Sequence, residues 1–343
     1  SRLAPFVVGG WFAARRGAPL GHMSLRLALA VLAAYLAASL ASDGEVPPAP
    51  AMAARALSLS PARPSAPIPT TVSHFAVGEA GVLSLETVMS HHLLILGGTT
   101  EARQLAGALA ARGDLTVTMS LAGRTQAPVA QPVPVRLGGF GGATGLAAHL
   151  TAERVDLLVD ATHPFAARMS EHAVAAAALA GCPLLALRRP PWTPGAGDRW
   201  REVAGLAAAL GQIGPAPKRL FLAMGRQELG PVVDFPQHRY LVRSVDPIVP
   251  PLAVPDVRYI QAVGPFAAED ETRLMREYRI DAVIAKNSGG SAAAGKLAAA
   301  RTLGLPVYMF ARPALPPAPS VADVPAALTW IDHWRASGTA RAE

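Results

Sequence analysis

Residues 91–103 read HHLLILGGTTEAR: an apolar run of strand length, two glycines, then residues that open helices. Two adjacent glycines, Gly97 and Gly98, let a backbone come close to a pyrophosphate. A helix starting just after them presents N–H groups that have no intrahelical acceptor, and Thr99 and Thr100 add hydroxyls. That is the chemistry of a dinucleotide cradle. It departs from G-x-G-x-x-G, and a strand–Gly-Gly–helix turn also arises for plain packing. Glu101 in the first helical turn complements the helix dipole.

Further along, LTVTMSLA runs into Gly123-Arg124-Thr125 with no acidic residue at its end. An acid there would hold a ribose 2′-hydroxyl, whereas an arginine suits a 2′-phosphate, so the spacing favours NADPH over NADH. A solvated loop arginine is the plainer alternative. DATHPFA (160–166) places Asp160, Thr162 and His163 at a strand's carboxyl edge, where a nicotinamide and its substrate would meet. His163 is then a site residue or a structural histidine, and Asp160 a cap. MGRQEL (224–229) and AKNSGG (285–290) read as strand-to-helix turns of the same kind, each putting a cation, Arg226 or Lys286, beside glycines where ligand anions could bind. Lys286 could equally snorkel from a strand edge while Gly289 and Gly290 permit a tight turn. VGPF (263–266) has no ionisable group and reads as wall.

These turns need strands and helices to present them. From residue 91 short apolar runs alternate with alanine-rich segments: strands near 92–96, 115–121, 133–137, 156–161 and 183–188, with helices near 100–112, 142–153 and 165–180. Continuous apolar runs such as LLIL suit strands buried on both faces of a parallel sheet. RRPPWTPGAGDRW (188–200) breaks the rhythm and marks a junction. A second alternation follows, with strands near 219–224, 239–244, 258–263, 281–286 and 306–311 and helices near 267–279 and 289–304. The expected fold is α/β: two Rossmann-like parallel-sheet lobes with an intervening cleft, residues 89–190 binding the nucleotide, 191–335 on the substrate side, and 336–343 a tail.

Residues 1–88 differ in character. An apolar stretch at 25–41, resembling a signal-peptide core or a marginal membrane span, is followed by seven prolines within 47–69. The segment reads as a non-functional or disordered extension, with the working protein starting near Met89. The net charge of +7 is carried almost wholly by arginine, the only lysines being Lys218, Lys286 and Lys296. With the basic residues dispersed and no zinc spacing or RNA-binding signature, the composition favours a small anionic ligand over nucleic acid. The lone Cys182 excludes an internal disulfide.

Taken in order, LILGGTTEAR, SLAGRT, DATHPFA, LRRPPW, GRQEL, VGPF and AKNSGG resemble the precorrin-6A reductase family of cobalamin biosynthesis over about 92–334. The resemblance implies a cytoplasmic oxidoreductase that uses hydride from NADPH to reduce one double bond of the macrocycle precorrin-6A, giving precorrin-6B. Its partners would be this tetrapyrrole and the neighbouring pathway enzymes in hand-over, with no nucleic acid or membrane. It places Gly97, Gly98, Thr99, Glu101 and Arg103 on the nucleotide turn, Arg124 on the 2′-phosphate, and Thr162 and His163 facing the nicotinamide. Arg188, Arg189, Arg226, Lys286, Ser288, Gly289 and Gly290 match motifs around the cleft, where their charges suit substrate carboxylates. Protonation must follow hydride addition, from His163, Lys286 or water. A short-chain dehydrogenase is disfavoured, since none of the five tyrosines has a lysine four residues later. An NADPH-binding sensor would explain the first lobe but not the strand-end cations of the second.

Overall fold

The computed structural model describes residues 73–77, 83–87, 90–123 and 129–339. Strands β1 (Ser73–Val77) and β2 (Leu83–Thr87) pair antiparallel, a regular element where the sequence reading expects none. The apolar stretch 25–41 lies outside the described residues, among which no helix is long and apolar enough to cross a membrane.

The first lobe begins with β3 (His91–Leu96), whose central residues are fully buried on alternate faces. It continues through α1 (Thr100–Ala110), β4 (Leu115–Leu121), β5 (Val135–Leu137), α2 (Ala143–Ala152), β6 (Leu157–Asp160), α3 (Ala167–Ala180) and β7 (Leu184–Leu187). The second comprises β8 (Arg199–Val203), α4 (Leu206–Ile213), β9 (Arg219–Ala223), β10 (Arg239–Ser244), β11 (Val257–Gln261), α5 (Ala268–Glu277), β12 (Ala282–Lys286), α6 (Gly295–Thr302) and β13 (Pro306–Phe310). The chain ends with β14 (Ser320–Val321) and α7 (Val324–Thr339).

Both six-stranded sheets are parallel throughout. Their orders are β14-β7-β6-β3-β4-β5 and β11-β10-β9-β12-β13-β8. Each is a doubly wound 3-2-1-4-5-6 order in which the sixth strand comes from elsewhere in the chain. The first lobe takes β14, which follows the whole second lobe; the second takes β8, which precedes its own first strand. Residues 320–335, grouped with the second lobe on sequence, and 336–339, read as a tail, therefore return to the first, where Ala327 and Ile331 of α7 are fully buried with Leu105 and Leu109 of α1. The physical reason is that β7 leaves an unpaired edge that β14 covers, and the apolar stripe of α7 needs a partner face.

Each sheet is covered on both sides. In the first, Leu93 and Ile95 point to α1 and α7 while Leu94 and Leu96 point to α2 and α3. In the second, Leu220 and Leu222 pack towards α4, and Phe221 towards α5 and α6. Two sequence-based expectations differ in detail. The helix expected from 289 starts at Gly295, because Gly289 and Gly290 sit at φ 65° and 79°, outside helical geometry. After β9 the chain makes 3-10 turns, Arg226–Glu228 and Gly230–Asp234, instead of an α-helix.

Candidate active site

In a doubly wound sheet the crevice lies at the carboxyl ends of the two strands between which the order reverses. In the first lobe these are β3 and β6, ending in Gly97-Gly98 and in Asp160. In the second they are β9 and β12, ending in Gly225-Arg226 and in Lys286. Four of the motifs picked out on sequence, LILGGTTEAR, DATHPFA, GRQEL and AKNSGG, thus fall at the two switch points.

At the first, the two glycines have different duties. A Cβ on Gly97 would lie 2.8 Å from Met119 Sδ, so this glycine serves strand packing. Gly98 has φ +111° with nothing within 4 Å of a built Cβ, which leaves open space beside the N-terminus of α1. Thr99 is the N-cap: its Oγ1 accepts from Ala102 N–H (3.1 Å) and donates to the Ala161 carbonyl (2.9 Å), tying the turn to β6. Its hydroxyl is therefore engaged. The turn keeps open backbone space and the first-turn N–H groups of a helix, a fit for a pyrophosphate. Arg103 is exposed on the helix surface, and Arg124 lies outside the described residues.

Asp160, 5% exposed, accepts from Thr162 N–H (3.2 Å), Thr162 Oγ1 (2.7 Å) and Ser170 Oγ (2.6 Å). This network makes the DATHPFA turn rigid and orients His163. His163 Nδ1 accepts from Phe165 N–H (3.2 Å), so in the neutral ring Nε2 carries the hydrogen. Burial, then the charges of Arg189, Lys286, Arg312 and Lys296, push its pKa down to about 3. The ring is a hydrogen-bond donor near neutral pH, not a stored acid proton.

The lobes meet through Arg189, which pairs with Glu101 of α1 and donates from Nε to the Ser288 carbonyl (2.6 Å). Gly289 and Gly290 make room for this bridge: a Cβ on Gly290 would lie 2.9 Å from Glu101 Oε1 and 3.2 Å from Arg189 Cδ. Lys286 pairs with Glu228 and lies 5.5 Å from the centroid of the Phe165 ring of the first lobe. His163, Arg189, Lys286, Ser288, Gly289, Gly290 and Glu101 are thus brought together. Arg188 donates to the Pro316 carbonyl (2.6 Å) and lines a small cavity with Asp160, Thr162, His163 and Arg312. Arg226, exposed, donates instead to the Val249 carbonyl (2.6 Å).

The model matched over residues 92–332 is that of the family described as "Precorrin-6x reductase CbiJ/CobK". The chain belongs to this family. It is 52% identical over 244 residues to the precorrin-6A reductase of a Sinorhizobium species, covering 71% of this chain and 94% of the relative. Identity is also 52% over 242 residues to that of Rhodobacter capsulatus, covering 70% and 96%. A solved structure of CobK precorrin-6A reductase, 51% identical, superposes with TM-score 0.68 over 71% of this chain and 96% of its own.

Within this family frame several site residues escape sequence reasoning. Arg312, at the end of β13, donates from Nε to the Asn287 carbonyl (2.7 Å) and from its Nη atoms to the carbonyls of Arg189 (2.8 Å) and Pro190 (3.0 Å). Its signal was present, since FARP at a strand end repeats the pattern of LRRP. Asn287 and Trp192 bond reciprocally, Trp192 N–H to Asn287 Oδ1 (2.8 Å) and Asn287 Nδ2 to the Trp192 carbonyl (2.9 Å). Nothing local announces that pairing across 95 residues. VGPF, read as inert wall, puts Phe266 3.6 Å from the Arg243 guanidinium.

Proposed function

We propose that this chain is a cytoplasmic NADPH-dependent reductase that converts precorrin-6A to precorrin-6B in cobalamin biosynthesis. The observation that carries the reading is the match, over nearly their whole length, to relatives named precorrin-6A reductase. The arrangement of the described residues supports it. The open turn at Gly98 with the N-terminus of α1 would hold the pyrophosphate, and Arg124 the 2′-phosphate. When bound, NADPH supplies the hydride.

The chain's own residues bind, orient and balance charge. Glu101 would place a carboxylate beside the phosphates, and its pairing with Arg189 removes that repulsion. Burial first and the surrounding cations second hold His163 neutral. Arg189 and Lys286 are paired with carboxylates, so Arg312, bonded to carbonyls, gives the cleft its positive balance, suited to a macrocycle with acetate and propionate arms. His163 Nε2–H offers a neutral hydrogen bond to substrate or cofactor. Lys286, already balanced by Glu228, supplies the ammonium nearest the Phe165 face. Ser288, Gly289 and Gly290 shape the opposite wall and keep the lobes in register.

Turnover of precorrin-6A followed by loss of reduced-nicotinamide absorbance, with NADPH against NADH, tests the reading. Turnover with a clear preference for NADPH supports it. NADPH binding without macrocycle binding would instead make the protein a sensor.

A further inference from the structure

We infer that Lys296 is a positioning residue for the interlobe site: lying beneath the indole of Trp192, it holds the Asn287–Gly290 turn, and through it the Arg189–Glu101 bridge, in working geometry. Lys296 is the second residue of α6 and only 4% exposed. A buried ammonium has to be met by polar or π-electron partners. Here Nζ donates to the Ala293 carbonyl at 2.7 Å and lies 4.8 Å from the Trp192 ring centroid.

Trp192 is held to the turn at three points. Two are the reciprocal bonds with Asn287, and the third is Nε1–H to the Gly290 carbonyl (3.1 Å). The same turn gives the Ser288 carbonyl to Arg189, whose other partner is Glu101 at the nucleotide-binding end of α1. A continuous path therefore runs from Lys296 to the first lobe. Its members are side chains and one irregular turn, the kind of structure whose register depends on what packs behind it.

Lys296 is also placed to change state. Facing it are Arg243 of β10 and Glu271 of α5, a mutually paired set 6% and 4% exposed. Burial first, and Arg243 second, bring the lysine's pKa down from its ordinary 10.5 to about 8, with Glu271 opposing. The cation under Trp192 is thus present at neutral pH and lost in mild alkali. Its charge is one of those that keep His163 neutral.

The experiment uses the full chain, with Lys296→Met, Lys296→Arg and Trp192→Phe. Subtracting the fluorescence of Trp192→Phe isolates Trp192 among the five tryptophans. In the unliganded parent this signal should titrate near pH 8, and in Lys296→Met it should be flat. The turnover readout rests on the reductase reading. There, kcat/KM of the parent should show an alkaline limb near pH 8, and Lys296→Met should lose about tenfold to a hundredfold at pH 7. Lys296→Arg, which stays charged, should recover most of that loss and carry no such limb.

Stability should move the opposite way. Between about pH 8 and 10.5 the unfolded chain holds a proton on this lysine that the folded chain has released, so its linkage raises stability with pH while activity falls. A merely structural lysine would not separate the two. No titration of the Trp192 signal near pH 8, or parental kcat/KM in Lys296→Met, would overturn the inference. If Lys296→Met does not fold, the alkaline limb of kcat/KM in the parent and its absence in Lys296→Arg decide. If neither the parent nor any variant turns over precorrin-6A, the reductase reading fails while the fluorescence still decides whether Lys296 acts on Trp192.

Discussion

At the scale of single residues, cofactor choice and proton inventory separate cleanly. Arg124 follows the second strand where a 2′-phosphate would sit, and one charged hydrogen bond is worth about 1.5–3 kcal/mol. Arg124→Ala is expected to weaken NADPH by roughly tenfold to a hundredfold and leave NADH nearly unchanged; calorimetric titration with both nucleotides checks this, and equal weakening removes the assignment. His163 yields a pH prediction. Its pKa falls from 6.5 to about 3 in the folded chain, so below pH 6.5 the unfolded state takes up a proton the folded state refuses. Stability should therefore decline from pH 6.5 towards 3, with no contribution from this group above 6.5. Denaturant midpoints measured across that range should fall less steeply in His163→Gln than in the parent.

At the scale of elements, the AKNSGG turn matters most. Gly289 and Gly290 were candidates for ligand contact, and they also adopt left-handed backbone while admitting Arg189, Glu101 and Pro190. Gly290→Ala would combine strain at φ +79° with a Cβ 2.9 Å from Glu101 Oε1, a cost of about 1–3 kcal/mol. Urea denaturation should register that loss, and nucleotide affinity should fall with it because Glu101 opens the helix of the cradle. Unchanged stability and affinity would mean that Glu101 and Arg189 relax freely. Gly97 teaches the complementary point: the same residue type in the same motif answers to Met119, a packing neighbour invisible from local spacing.

At the scale of the whole molecule, the first lobe is completed by chain that returns from beyond the whole of the second, whereas the second is completed by β8, the strand that opens it. Strand β14 and helix α7 finish the first lobe, with Arg112 bonded to Asp332 (2.6 Å) and Arg335 paired with Asp114; β8 finishes the second. Lobes joined in this way should unfold together. Trp330 and Trp334 report on the first lobe and Trp200 on the second. Variants whose only tryptophans are Trp330 and Trp334, or Trp200 alone, should give coincident denaturation curves by fluorescence and circular dichroism. Two separated transitions would show that the returning β14 and α7 do not couple the lobes.

The sequence by itself determined the parallel strands, from β3 to β7 and from β9 to β13. Central strands such as β3, β6 and β12 are buried and so continuously apolar, and the alternation with helices brings the more exposed edge strands β5 and β11 into the same doubly wound sheets. It also placed Gly98, His163 and Lys286 at strand ends, since glycine, turn and charge signals are local. Which of these ends would face each other, that β8 would take the sixth place in its sheet while β14 returned to the first lobe, and that Arg189 would spend its charge on Glu101 and Ser288 were decided only in three dimensions. Those outcomes depend on edge pairing and on contacts such as Arg189 with Glu101, 88 residues apart, whose partners share no local pattern.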